Sequence, residues 1–155
     1  MDEPSWSLRA ARPEDYDFLF ALHKATMREY VERVWGWDDE EQARILRTRL
    51  QPDGWHVIQS QNRDIGLLVI DEEDGSIRLA EIELMPAWQG RGIGSSIVRW
   101  LMKEAAAAGK PLTLRVLHVN ERARDLYERL GFRPFKEIET HVYLRWDSAS
   151  GTYPP

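Results

Sequence analysis

Two hydrophobic rhythms divide this chain, and the rhythm changes where glycine, proline or short polar residues stand. Ser7-Leu8-Arg9-Ala10-Ala11 reads as a short first strand. Pro13-Glu14-Asp15 opens a helix, because proline suits the first helical position and acids there favour the positive end of the helix dipole. Phe18, Leu19, Leu22 and Ala25 form a stripe at helical spacing, and the pattern runs to about Val34. Trp35-Gly36-Trp37 interrupts it. Asp38, with Glu41 three residues on, has the form of a capping box and starts a second helix through about Leu50. Gln51-Pro52-Asp53-Gly54 is a turn cluster.

Strand signals come next. Trp55 to Gln59 alternates, and Ile65 to Ile70 is a continuous apolar run suited to a strand buried on both faces. Asp71 to Gly75 reads as an acidic turn ending in Asp-Gly, followed by a strand from Ile77 to Met85 that Pro86 stops. A helix is expected from about Gly92 to Ala108, with Ile93, Ile97, Trp100, Leu101 and Ala105 on one side and Gly109 just past its end. Leu112 to Leu117 is another strand. Asn120 is placed to cap a short helix whose apolar face is Ala123, Leu126, Tyr127 and Leu130, ending at Gly131. Phe132 to Phe135 and Glu139 to Trp146 close as two strands. The order is mixed α and β. Residues 1–147 read as a single domain, with 148–155 a small, polar, proline-ended tail expected to be disordered.

Composition narrows the class. The chain has 155 residues, enough for one domain with a core, and 43% apolar with 30% charged residues is a globular mixture. No stretch approaches the roughly 20 apolar residues that span a bilayer, and the acidic N-terminus lacks the apolar run of a secretory signal. Cysteine is absent, which removes disulfides and thiolate chemistry and fits a cytoplasmic location. A net charge of −5 disfavours nucleic-acid binding, which depends on clustered basic side chains. Four scattered histidines without cysteine suggest no metal site.

The candidate chemistry begins at Gln89-Gly90-Arg91-Gly92-Ile93-Gly94, between a strand and an amphipathic helix. Glycines let backbone turn sharply and approach a ligand, while a helix N-terminus offers unpaired N–H groups and partial positive charge. A pyrophosphate is the expected guest; a turn made only for tight packing is the alternative. A dinucleotide fingerprint needs G-x-G-x-x-G at the first strand, and a P-loop needs a lysine after its last glycine. This stretch has neither.

A second motif lies downstream. Asn120, Ala123, Leu126, Tyr127, Gly131 and Phe132 follow an N-x-x-A-x-x-L-Y-x-x-x-G-F pattern, and Gln89, Gly92 and Gly94 follow Q/R-x-x-G-x-G/A. Together they resemble the GNAT superfamily of N-acetyltransferases over nearly the whole chain. The resemblance implies a central, mostly antiparallel sheet of six to seven strands, splayed between strands 4 and 5 and flanked by about four helices. It implies acetyl-CoA as cosubstrate, with the amides of Gln89, Gly90, Arg91, Gly92, Ile93, Gly94 and Ser95 cradling the pyrophosphate. By the same likeness the backbone of Ile82 and Leu84 pairs with the pantetheine, and Asn120 hydrogen-bonds that arm.

The implied reaction is acetyl transfer to a primary amine by direct attack in a ternary complex. A free alkylamine has a pKa near 10, so its ammonium must lose a proton; the oxyanion needs a donor, and the leaving thiolate an acid. By resemblance a backbone N–H near Leu84 is the donor and Tyr127 the acid, against the alternative of a core tyrosine. Glu81 and Glu83 share one strand face and are the candidate bases, with Glu81 eight residues before Gln89 placed first. The opposite face carries Arg78 and Ala80, where some family members hold an acid or histidine. Solvated carboxylates with a purely electrostatic role remain the alternative. His118 is a weaker candidate.

For the acceptor, the family shapes a pocket from the first two helices and their connection. Tyr30, Trp35 and Trp37, near Glu32 and Arg33, would receive a cation through their rings, or else pack the helix connection. His141 and Tyr143 are further candidates. The expected partner is a small-molecule or peptide amine, with a homodimer compatible. A non-catalytic CoA-binding or sensing module of the same fold is the alternative function.

Overall fold

In the computed structural model, which describes residues 4–51 and 53–148, the chain forms seven strands and four α-helices. The expected tail lies outside the described residues apart from Ser148. The strands hydrogen-bond in the order β1-β2-β3-β4-β5-β7-β6, with β1 Ser7–Ala10, β2 Trp55–Ser60, β3 Arg63–Glu73, β4 Ser76–Leu84, β5 Leu112–Leu117, β6 Arg133–Glu137 and β7 His141–Trp146. The β1–β2, β2–β3, β5–β7 and β6–β7 pairs are antiparallel, while β4 and β5 run parallel, pairing Ile77 with Leu112 and Arg78 with Thr113. The helices are α1 Tyr16–Val34, α2 Asp39–Arg49, α3 Ile93–Ala108 and α4 Glu121–Arg129.

The chain divides into two compact units. The first comprises Met1–Val69 with Glu81–Gly94. Its core gathers Leu19 and Leu22 of α1, Val57 and Ile58 of β2, and Ile65 and Leu68 of β3, all but fully buried. Residues 65–69 are buried without a break, as their continuous apolar run requires. The N-terminal end of this unit is tied by charge: both Asp15 carboxylate oxygens accept from Arg9, at 2.9 and 2.8 Å, and Oδ2 also accepts the Arg12 N–H at 2.8 Å. Arg9 reaches Asp64 on β3 as well, at 2.9 Å. The Arg9 hydrogen bond holds Asp15 below the usual carboxylate range against the opposing effect of burial. Asp38 caps α2 by accepting the Glu41 N–H at 3.2 Å, but the box is half-formed, because the Glu41 carboxylate turns to Arg44.

The second unit comprises, among the described residues, Ile70–Ala80 with residues 95–148. Ile97 and Met102 of α3, Leu112 of β5, Leu144 of β7, and Phe132 just before β6 form its core. Gly109, at φ +68°, closes α3 with the Lys110 N–H on the Ala105 carbonyl. Gly131 closes α4 in the same way at φ +106°, and the Phe132 N–H donates to the Tyr127 carbonyl at 3.0 Å.

Boundaries shift in four places. Pro13–Asp15 is a single 3-10 turn, and the α-helix proper starts at Tyr16. Asp71 to Glu73 extends β3 instead of forming a turn. The Arg78 guanidinium on the neighbouring strand meets Asp71 at 2.9 Å and Glu73 at 3.7 Å, offsetting the acidic run, and the turn shrinks to Asp74-Gly75. β6 runs past Phe135 to Glu137. Glu139 and Thr140 stand outside β7, in a turn closed by the Ile138 N–H on the His141 carbonyl at 2.9 Å.

Candidate functional site

Strand alternation places Glu81 and Glu83 on one face of β4. Glu83 is buried, and Glu81 is half-buried but crowded by protein atoms. The sequence reading missed what α1 and α2 bring to this pair. His23 Nδ1 lies 3.3 Å from Glu83 Oε2, and the other ring nitrogen lies 3.1 Å from Gln42 Oε1 on α2. Thr26, one helical turn after His23, reaches Glu83 Oε1 at 3.1 Å while sharing its hydroxyl proton with the Leu22 carbonyl at 3.0 Å. Glu81 lies beside Glu83 in this cluster. The reactive atoms of His23, Glu81 and Glu83 fall within 4.8 Å of one another. The histidine that looked scattered in the sequence thus joins two carboxylates.

The cluster sets its own protonation. Burial first, then the charge of Glu83, pushes Glu81 up to about 7, while Arg49 and His23 pull the other way. Burial alone would lower the His23 imidazole; the hydrogen bond and charge of Glu83 outweigh it, and His23 is raised. Two like charges this close do not both ionise freely, so the pair retains a proton near neutral pH.

Of the aromatic acceptor candidates, Trp37 joins this cluster. Its ring lies 5.6 Å from the His23 ring, and its indole N–H donates to Asp39 Oδ1 at 2.6 Å. Tyr30 is half-buried on α1, and Trp35 at the end of that helix is 60% exposed.

The glycine-rich loop follows β4 through a 3-10 turn, Pro86–Trp88. Gly90 and Gly92 have φ of +74° and +83°, values that side-chain-bearing residues rarely adopt. Among the described residues nothing lies within 4 Å of a Cβ built at Gly90, so the backbone there faces open space. That opening, at the start of the 16-residue helix α3, fits a bound pyrophosphate. Gln89 folds back, its side-chain amide donating to the Leu84 carbonyl at 2.9 Å, and Arg91 stacks over the Trp88 ring at 4.6 Å.

In the second unit, Asn120 caps α4 by accepting the Ala123 N–H at 3.2 Å, leaving its amide NH2 for another partner. Tyr127 is 6% exposed, its ring edge-on to Phe132 at 5.6 Å. His118 Nε2 donates to the Ile138 carbonyl at 2.8 Å, and its Nδ1 lies 3.7 Å from a Glu137 carboxylate oxygen. His141 meets Thr140 Oγ1 at 2.7 Å and is lowered by burial and by Arg115 and His118. Tyr143 is covered by Lys136 at 5.1 Å and Phe135 at 6.1 Å.

Fold, glycine loop and paired carboxylates define a class, and comparison with known proteins places the chain in it. It belongs to the acetyltransferase (GNAT) family, whose profile matches residues 16–132. The thialysine N-epsilon-acetyltransferase of Bos taurus is 40% identical over 73 residues, 46% of this chain and 43% of that protein. An N-acetyltransferase 9-like protein of Nematostella vectensis is 31% identical over 107 residues, 64% of this chain and 53% of that one. The chain therefore spans about half the length of these relatives. The paia N-acetyltransferase of Thermoplasma acidophilum, solved in complex with coenzyme A, superposes with a TM-score of 0.74 at 14% identity, covering 92% of this chain and 99% of that one. At that identity the likeness is one of fold. No helix among the described residues is long and apolar enough to cross a membrane.

Proposed function

We propose that this chain transfers the acetyl group of acetyl-CoA to a primary amine. The observation that carries the reading is the cluster of Glu81, Glu83 and His23 on and against the strand that runs into the glycine loop, where burial and the charge of Glu83 push the Glu81 carboxyl up to about 7. A base with that proton affinity is neither fully protonated at pH 7 nor too weak to take a proton from an ammonium.

In this reading the loop from Gln89 to Ser95 holds the pyrophosphate, the backbone of Ile82 and Leu84 aligns the pantetheine, and the Asn120 amide donates to it. Glu81 takes the ammonium proton. The amine nitrogen then bonds to the thioester carbonyl carbon while a backbone N–H near Leu84 stabilises the oxyanion. The carbon–sulfur bond breaks, and the Tyr127 hydroxyl gives its proton to the thiolate. The products are an N-acetyl amide and CoA thiol. The nitrogen gives up its second proton as the tetrahedral intermediate collapses, that proton restores the Tyr127 hydroxyl by way of water, and Glu81 releases the first proton to solvent.

The thialysine named for the bovine relative ends in a primary alkylamine, which supports an acceptor of that kind, small molecule or peptide. Trp37 beside His23 supports an acceptor cation arriving from the α1–α2 side. A panel of alkylamines, amino acids, polyamines and peptide N-termini, read by release of free thiol from acetyl-CoA, tests the reading. Amine-dependent thiol release with the acetylated amine found by mass spectrometry is expected. CoA binding without transfer to any panel member would overturn it in favour of a CoA-sensing module.

A further inference from the structure

His23 was not visible as a functional residue in the sequence, and its geometry bears on why one of two adjacent carboxylates becomes the base. We propose that His23 is a positioning residue: by donating to Glu83 it fixes that carboxylate in place, which leaves Glu81 as the member of the pair that takes the proton from the acceptor amine. The inference rests on the acetyl-transfer reading above.

Three observations support it. The Nδ1 atom of His23 faces Glu83 Oε2 at 3.3 Å, and a carboxylate oxygen there calls for a hydrogen on that nitrogen. The opposite ring nitrogen is held by Gln42 at 3.1 Å, so the ring is fixed from both ends in either orientation of the Gln42 amide. Thr26 engages the second Glu83 oxygen at 3.1 Å. Glu83 is thus bonded through both oxygens to α1, and its charge acts on Glu81 two residues before it on the strand. A carboxylate that accepts from several donors is the one that stays ionised, and its neighbour retains the proton.

The charged groups that act on Glu81 are Glu83 on its own strand, His23 from α1 and Arg49 from the end of α2. Those acting on His23 are Glu83 and Glu81, with the neutral Gln42 amide and the Trp37 ring completing its surroundings. The two sides of the cluster therefore have opposite effects. Removing His23 takes away a positive charge and raises the proton affinity of Glu81. Removing the Glu83 charge lowers it.

The test is a carbon-13 NMR titration of the glutamate side-chain carboxyls, assigned by difference with Glu81→Gln, in the wild type, His23→Gln and Glu83→Gln. The readout needs no acceptor and no turnover. In His23→Gln the Glu81 midpoint should rise by about 0.5 pH or more. In Glu83→Gln the Glu81 midpoint should fall by about 1 pH or more. The acid limb of kcat/KM for the best amine should move in the same two directions. A midpoint that stays in place or falls in His23→Gln overturns the proposal, even if turnover is reduced. Should His23→Gln fail to fold, a Glu81 midpoint unmoved in Glu83→Gln overturns it from the other side. Absence of acetyl transfer across the panel would instead overturn the functional reading, and the titration would still decide what His23 does.

Discussion

The carbonyl oxygen of Glu83 occupies the place where a side chain on Gly66 would begin. A Cβ at Gly66 would collide with that oxygen, and would lie 2.9 Å from Leu84 Cδ2 and 3.2 Å from Ile58 Cδ1. The β2–β3 register shifts just beside it, between Ile58 and Gln59. Gly66 thus lets β3 run close against the backbone that carries the carboxylate pair. Gly66→Ala should cost about 2–3 kcal/mol, because backbone has less freedom to yield than a side chain. It should also displace Glu83 and reduce turnover of the folded fraction. Urea denaturation and thiol-release assays on the same preparation check both.

If Glu81 is the base, it must be unprotonated to accept a proton, and kcat/KM should rise with pH through about 7. Glu81→Gln should lower kcat by about 10²-fold or more and flatten that rise. A pH–rate profile of the two proteins decides it.

The same group predicts a stability effect. The folded-state pKa of Glu81 lies above its ordinary value of about 4.3, so the folded state holds a proton that the unfolded chain has lost. His23 is raised as well, and its contribution also fades as pH rises through its folded value. Stability should therefore fall as pH rises from 5 to 8, with Glu81 contributing up to about 3 kcal/mol of the change. Glu81→Gln should be the more stable protein at pH 8. Thermal unfolding across that range tests the sign.

If Tyr127 protonates the departing thiolate, Tyr127→Phe should reduce kcat by about 10²-fold while leaving CoA affinity nearly unchanged. Its ring would still pack on Phe132. Calorimetric CoA binding beside steady-state kinetics separates the two effects, and undiminished kcat would remove Tyr127 from the mechanism.

The Arg9–Asp15 pair gives a prediction of opposite pH sign. Asp15 is held below its ordinary value, so its contribution is present at neutral pH and fades as pH falls through its folded value. Asp15→Asn should cost about 2–4 kcal/mol at pH 7, since it leaves a half-buried guanidinium short of its partner. The gap between variant and wild type should narrow in acid.

Local signals carried most of the fold. Asp38 and Asn120 read as helix caps and act as caps, and Gly109 and Gly131 end their helices at positive φ, because these are choices made within a few residues of chain. The glycine stretch was equally legible, since its conformational demand is local. Asp71 to Glu73 misled because the neutralising Arg78 stands on another strand. The carboxylate pair was visible through strand alternation, but nothing in the spacing of His23, Thr26 and Gln42 pointed to Glu83. Those contacts exist only once two helices and a strand pack. A signal was available in retrospect: His23 lies next to Leu22 and one turn from Leu19, on the inward side of α1, where a lone polar ring requires a partner.

His23 and Thr26 sit one turn apart and grip the two oxygens of one carboxylate, while Asp15 anchors the approach to the same helix. An α-helix turns about 100° per residue, so adding or deleting one residue between Tyr16 and Thr26 would swing the imidazole away from Glu83. Length changes in this part of the chain are thereby confined. Insertions and deletions among its descendants can accumulate beyond Thr26, towards the Trp35-Gly36 connection, while the eleven positions from Tyr16 to Thr26 must drift by substitution alone.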